Sequence, residues 1–134
     1  MTQVPTSLQI CDMTTLGAAQ PLWVLDGLTE HTTVRELICC RVYQEVQDYN
    51  THKPEYFCGL VRPTEAEQTL NGYRLATPRQ LDWEQQAELA IAAFLANGFL
   101  ILVGDRQVTE LDEEIAVSPE QTVTFLRLVP LVGG

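Results

Sequence analysis

Residues Gly98 to Gly134 read GFLILVGDRQVTELDEEIAVSPEQTVTFLRLVPLVGG. The stretch predicts a strand, a tight turn at Gly104-Asp105, a short strand through Val108, a loop, a final strand and a loose tail. Phe99 to Val103 is an unbroken apolar run, which predicts a strand buried on both faces. Val123 and Phe125 alternate with Thr122 and Thr124, the pattern of a half-buried strand. Pro130 has no N–H to give a ladder, so pairing is expected to stop there. The tail then reaches Gly133-Gly134. With glycine at roughly 7% of residues, chance places such a pair last in about one chain in two hundred. Glycine has no side chain to bury and is costly to order, so packing does not account for the pair. A narrow, side-chain-free end that threads an enzyme channel and presents its carboxylate does.

Working back towards the N-terminus, Leu8, Ile10 and the run Leu22-Trp23-Val24-Leu25, ending at Asp26-Gly27, predict an opening β-hairpin, with a turn around Gly17. Thr33 with Glu36 forms a capping box. Val34, Leu37, Ile38, Val42, Val46 and Tyr49 then mark one helical face, widened by Cys39 and Tyr43, and the helix is expected to fade near Asn50. Tyr56 to Val61 reads as a short strand or a buried loop. Thr64 with Glu67 predicts a short helix stopped at Gly72. Thr77, with Pro78 at the first helical position, predicts the start of a longer helix. Its stripe is Trp83, Ala87, Ala90, Ile91, Phe94 and Leu95, and Gly98 ends it.

At 134 residues, 46% of them hydrophobic, the chain is long enough for one domain with a real core. Eighteen acids against eight bases give a net charge of -10, which disfavours nucleic acid and anionic membranes as partners. Lys53 is the single lysine. The N-terminal MTQVPTSLQICD has neither a basic segment nor a long apolar core, so no signal peptide is expected, and no apolar run is long enough to span a bilayer. Four cysteines, two of them adjacent at Cys39-Cys40, make a poor disulfide framework and fit a reducing cytoplasm. No Cys-x-x-Cys pair is present, and neighbours on a helix diverge by about 100 degrees, so no metal site is expected of Cys39, Cys40, His52 and Cys58.

The order hairpin, capped helix, strand, strand, final strand resembles the β-grasp fold of the ubiquitin-like family. The residues that carry the likeness are Leu100 to Val108, then Leu126-Arg127-Leu128, then Gly133-Gly134. It covers roughly residues 8 to 50 and 98 to 134. The resemblance implies an α+β domain with a helix across a mixed sheet and with the first and last strands side by side in its middle. The expected layout is a β-grasp core at 8–50 and 98–128, a helical insertion at 51–97 and a C-terminal tail at 129–134. Val129-Pro130-Leu131-Val132 departs from ubiquitin, which has an arginine before its glycines, and is similar to the tails of the sulfur carriers of molybdopterin and thiamine synthesis.

The resemblance also implies a chemistry. A separate activating enzyme, using ATP and Mg, adenylates the terminal glycine, so Gly133 and Gly134 form the conjugation site. In modifiers the acyl group then passes through enzyme thioesters to a target amine or hydroxyl. In sulfur carriers the acyl-adenylate becomes a thiocarboxylate. A third reading is a β-grasp interaction module that is never activated. The modifier reading implies an activating enzyme, a conjugating enzyme, a deconjugating protease and a target protein as partners, with no cofactor bound and no catalytic residue on this chain. In a bacterium it resembles the ubiquitin-like components of operons that also encode those enzymes, some of which serve antiviral defence. Docking is expected through Ile101, the position matched to ubiquitin's central patch residue, with Leu126, Arg127 and Leu128 beside it.

Overall fold

In a computed structural model, residues 6–15, 17, 21–69, 71–75 and 79–128 are described. The expectations for the helix cap at Thr77-Pro78 and for the tail at 129–134 fall outside them. The chain is an α+β protein with a mixed sheet and two helices. Its contacts divide it into two compact units, residues 1–37 with 94–134, and residues 38–93.

In the first unit, strand β1 (Thr6–Thr14) forms the expected antiparallel hairpin with β2 (Trp23–Leu28). β2 does not stop at Asp26-Gly27. Thr6 pairs with Leu28 and Leu8 with Leu25, so β2 carries one extra residue, and Gly27 takes φ +85°. This β-bulge lets Leu25 and Leu28 both reach the core. A short strand β3 (His31–Thr33) follows, which the polar sequence hid. Further on come β6 (Phe99–Val103), β7 (Arg106–Val108), β8 (Glu114–Ala116) and β9 (Thr122–Arg127). Between β3 and β6 lie the helices and two strands given below.

The main sheet has the order β2-β1-β9-β6-β7, with β1 parallel to β9 and every other pair antiparallel. The first and last strands are thus central neighbours. β3 and β8 form a separate antiparallel pair. One face of the main sheet is closed by Leu8, Ile10, Leu25, Ile101, Val123 and Phe125, all at most 1% exposed. Phe99 bridges this layer, its ring 6.0 Å from Phe125 and 5.8 Å from Phe94. Phe99 to Val103 was expected to be buried on both faces. Instead it alternates, with Leu100 and Leu102 half-buried on the opposite side from Phe99 and Ile101.

Helix α1 (Val34–His52) begins where the capping box predicts. The Glu36 N–H donates to Thr33 Oγ1 (3.2 Å), and that hydroxyl donates to Glu36 Oε1 (3.1 Å). The preceding N–H groups, on Val34 and Arg35, donate to the carbonyls of Glu113 and Leu111. The first-turn donors of α1 are therefore occupied by its own unit. All six stripe residues, Val34, Leu37, Ile38, Val42, Val46 and Tyr49, are at most 8% exposed. Thr33→Ala removes the cap oxygen and is expected to cost about 1 kcal/mol in chemical denaturation.

The second unit departs further from expectation. Thr64 to Gly72 is not a helix. β4 (Ala66–Thr69) and β5 (Gly72–Leu75) form an antiparallel hairpin. Two features defeat the helix. Glu65 sits at φ +63°, outside the helical region, and Asn71-Gly72 is a hairpin turn signal with Gly72 at φ +131°. Thr69 Oγ1 accepts the Asn71 N–H (3.1 Å) and donates to the Gly72 carbonyl (2.7 Å), which fixes the turn. Phe57 exchanges both backbone hydrogen bonds with Tyr73, so Tyr56 to Val61 is a loop with a single bridge.

Helix α2 (Trp83–Leu95) starts later than Thr77. Residues 79–82 are not helical, because the Leu81 N–H and carbonyl both pair with the Asn50 amide (2.9 and 3.0 Å). Asp82 supplies the cap instead, its Oδ1 accepting the Glu84 N–H at 3.0 Å. Of the expected stripe, Ala87, Ala90 and Phe94 are buried, whereas Trp83 and Leu95 are exposed. Gln86 is buried in their place and its Nε2 donates to the Val61 carbonyl. The segment expected to be helical thus holds one helix and one hairpin.

Candidate functional site

The conjugation residues Gly133 and Gly134 lie outside the described residues. The structure does place the strand that leads to them. β9 is flanked by β1 on one side and β6 on the other. At its end the Arg127 carbonyl accepts the Thr15 N–H (3.0 Å), and the Leu128 N–H donates to the Gly98 carbonyl (3.3 Å). The chain is therefore clamped to the sheet on both sides up to Leu128.

The docking expectation at Ile101 is corrected. Its side chain is 0% exposed and pairs in register with Phe125, also 0% exposed. It is core and offers no surface to a partner. Side chains alternate between faces along a strand, so a slip of one position exchanges the two. The outward positions are Leu100 and Leu102. Registers across three strands place Met13, Leu126 and Leu100 in one row and Cys11, Thr124 and Leu102 in the next. All six are half-buried. Leu126 thus lies on the outer face, Leu128 beyond it is 40% exposed, and Arg127 is half-buried opposite Phe99.

The signal for this was present. Thr122 and Thr124 mark the outer face of β9, and pairing Thr124 with Leu102 orients β6, whereas five apolar residues alone orient nothing. Ile101→Ala is expected to lower stability by about 3 kcal/mol, the usual loss for a core isoleucine, measured by urea unfolding. A change below about 0.5 kcal/mol, typical of surface sites, would return Ile101 to the surface.

Burial first, and the neighbouring Cys39 second, push the Cys40 thiol above its ordinary value, which keeps it protonated. Cys58 is exposed and its Sγ donates to the Asn71 carbonyl (3.4 Å). Among the described residues, no group of three His, Cys, Asp or Glu could hold a metal ion. No helix among them is long and apolar enough to cross a membrane.

The second unit holds an open cleft of about 510 Å³. Tyr49, Pro54 and Leu75 contribute its apolar lining. Lys53, Arg74 and Arg79 line it together with Glu55, Glu65 and Glu67, so its charges balance and select neither an anion nor a cation. No protein-family model, curated protein or solved structure matches the chain.

Proposed function

We propose that this chain is a ubiquitin-like protein modifier that acts through the carboxylate of Gly134. The observation that carries the reading is the parallel pairing of β1 with β9 in the middle of a mixed sheet that opens with a hairpin. A capped helix follows the hairpin, and β9 leads towards Gly133-Gly134. That order is compatible with a β-grasp-like mixed sheet, an arrangement in which the last strand would carry a C-terminal tail out from a folded body.

A carboxylate at neutral pH is a poor electrophile. Attack of a Gly134 oxygen on the α-phosphorus of ATP, in the partner's Mg-assisted site, expels pyrophosphate and leaves an acyl-adenylate. A partner thiolate then forms the thioester and releases AMP. A target amine or hydroxyl takes the acyl group, loses its proton and frees the thiol. In this scheme the chain supplies a substrate and a docking face, and the catalytic groups belong to its partners. The face offered is the outer side of the sheet, with Met13, Leu126 and Leu100 in one row and Leu102 in the next, in place of Ile101.

The test is incubation with an activating enzyme of the ubiquitin-activating type, ATP and Mg, followed by intact-mass measurement. A thioester on the enzyme and adducts on targets support the modifier. A mass gain from oxygen replaced by sulfur would instead make the chain a sulfur carrier, the reading that Val129 to Val132 favours. Absence of any adenylate would leave an unactivated interaction module.

A further inference from the structure

The second unit carries an aromatic corner that the modifier scheme does not use. Tyr43 of α1 and Trp83 at the start of α2 meet edge to face, with ring centroids 5.4 Å apart and planes at 86°. Tyr43 is 39% exposed and Trp83 37%, in a chain whose other large rings are mostly covered. Both are held in place. Gln47 Nε2 donates to the Tyr43 hydroxyl at 2.7 Å, and Trp83 follows the cap at Asp82. Rigid aromatic rings lose little rotamer freedom on binding, which is why Trp and Tyr anchor so many interfaces.

The surroundings select the partner's chemistry. Asp82 and Glu84 flank Trp83 in sequence, and both are exposed. α2 contains no Lys or Arg from Trp83 to Leu95, and α1 contains none from Tyr43 to His52. Electron-rich ring faces beside carboxylates with no cation on either helix segment attract a planar cation. Arginine fits better than lysine, because its guanidinium stacks on a ring and gives up its hydration more readily. The net charge of -10 adds long-range attraction for a basic surface. We propose that Tyr43 and Trp83 form the docking point for an arginine-bearing face of a protein partner. This does not depend on the fate of Gly134.

The probe is a short peptide of alternating arginine and glycine, titrated into the ¹⁵N-labelled full chain, with the lysine counterpart alongside. Trp23, whose Nε1 donates to Asp12 Oδ2 at 3.0 Å, serves as the internal reference. The Trp83 indole signal is expected to shift saturably and the Trp23 signal to stay in place. Trp83→Leu should weaken the arginine peptide by about tenfold, and the lysine peptide should bind the natural chain less tightly. Tyr43→Phe keeps the ring and should retain affinity within about twofold. Neutralising three acids of the first unit together, Asp112→Asn, Glu113→Gln and Glu114→Gln, should also change it by less than about twofold. A silent Trp83 signal, or an equal loss in this triple variant and in Trp83→Leu, would overturn the proposal by reducing the attraction to net charge. The shift of the natural chain is decisive even where Trp83→Leu folds poorly.

Discussion

Removing Gly134 is expected to abolish transfer to the activating enzyme and to leave the melting temperature unchanged. The described core residues of the first unit fall between Leu8 and Phe125, and the last described backbone bond of the final strand is at Leu128. Gly134 has no side chain to bury, so its deletion is expected to leave that core intact. It takes away the acyl donor and moves the carboxylate back to Gly133. An activating site must hold the reacting carboxylate in line with the α-phosphorus. Displacing it by one residue, about 3.5 Å, is far beyond the tolerance of a near-attack geometry. Gly134→Ala is a gentler probe, since it keeps chain length and adds one methyl to a channel sized for none. Adenylation is read by pyrophosphate release and the fold by circular dichroism. Full activity in the deletion would sink the modifier and sulfur-carrier readings together. Lost ellipticity would show instead that the tail belongs to the folded body.

The sheet was legible wherever local pattern and tertiary burial agree. Leu8, Ile10, Val123 and Phe125 alternate with polar neighbours, and all four are core. The six-residue stripe of α1 is buried throughout because helix period and burial coincide along it, whereas Tyr43, expected to widen that face, is 39% exposed. The misreadings share one cause, a short-range signal outcompeted by a partner distant in sequence. The Thr64–Glu67 spacing imitates a cap, but Asn71-Gly72 closes a hairpin whose strand also meets Phe57. Thr77-Pro78 imitates a helix start, but Asn50 holds Leu81 out of the helix from 31 residues away. β3 and β8 are too short and too polar to show any period, and they exist through each other.

The candidate site was legible in kind more than in detail. The glycine pair stands out from residue types alone, whereas the central place of the last strand was expected only from the likeness to the β-grasp fold. The face of β6 does not, because Phe99 to Val103 carries no polar residue to mark the solvent side. Only the register against Thr122 and Thr124 does so, and register is a property of two strands. Trp83 illustrates the converse. Helical period assigns it to the buried stripe, yet it occupies the first position of α2, next to its cap, and is 37% exposed. The first residue of a helix has no preceding turn to bury it, so period is a weak guide there.

The second unit should depend most on Glu45. Arg41 is 2% exposed, and its Nε donates to Glu45 Oε2 at 3.1 Å across one helical turn. The other carboxylate oxygen, Oε1, accepts the Leu60 N–H at 3.1 Å, which ties the loop after Phe57 to α1. Glu45 is 13% exposed, so solvent screens the pair little. Glu45→Ala would take this carboxylate away from a buried guanidinium and remove the acceptor of the Leu60 N–H. The expected loss is about 3–5 kcal/mol, a large fraction of the roughly 5–15 kcal/mol that holds a domain folded. Glu45→Gln keeps one acceptor and should lose less. Arg41→Met combined with Glu45→Met should recover the part of the loss that comes from the desolvated charges, but not the part from the Leu60 N–H, which still lacks its Glu45 acceptor. Urea unfolding measures the totals. Hydrogen exchange at the Leu60 amide separates the local effect, which is needed because two compact units need not unfold as one. Glu45→Ala should collapse the protection of that amide. A loss below about 1 kcal/mol would place Arg41–Glu45 among ordinary surface pairs.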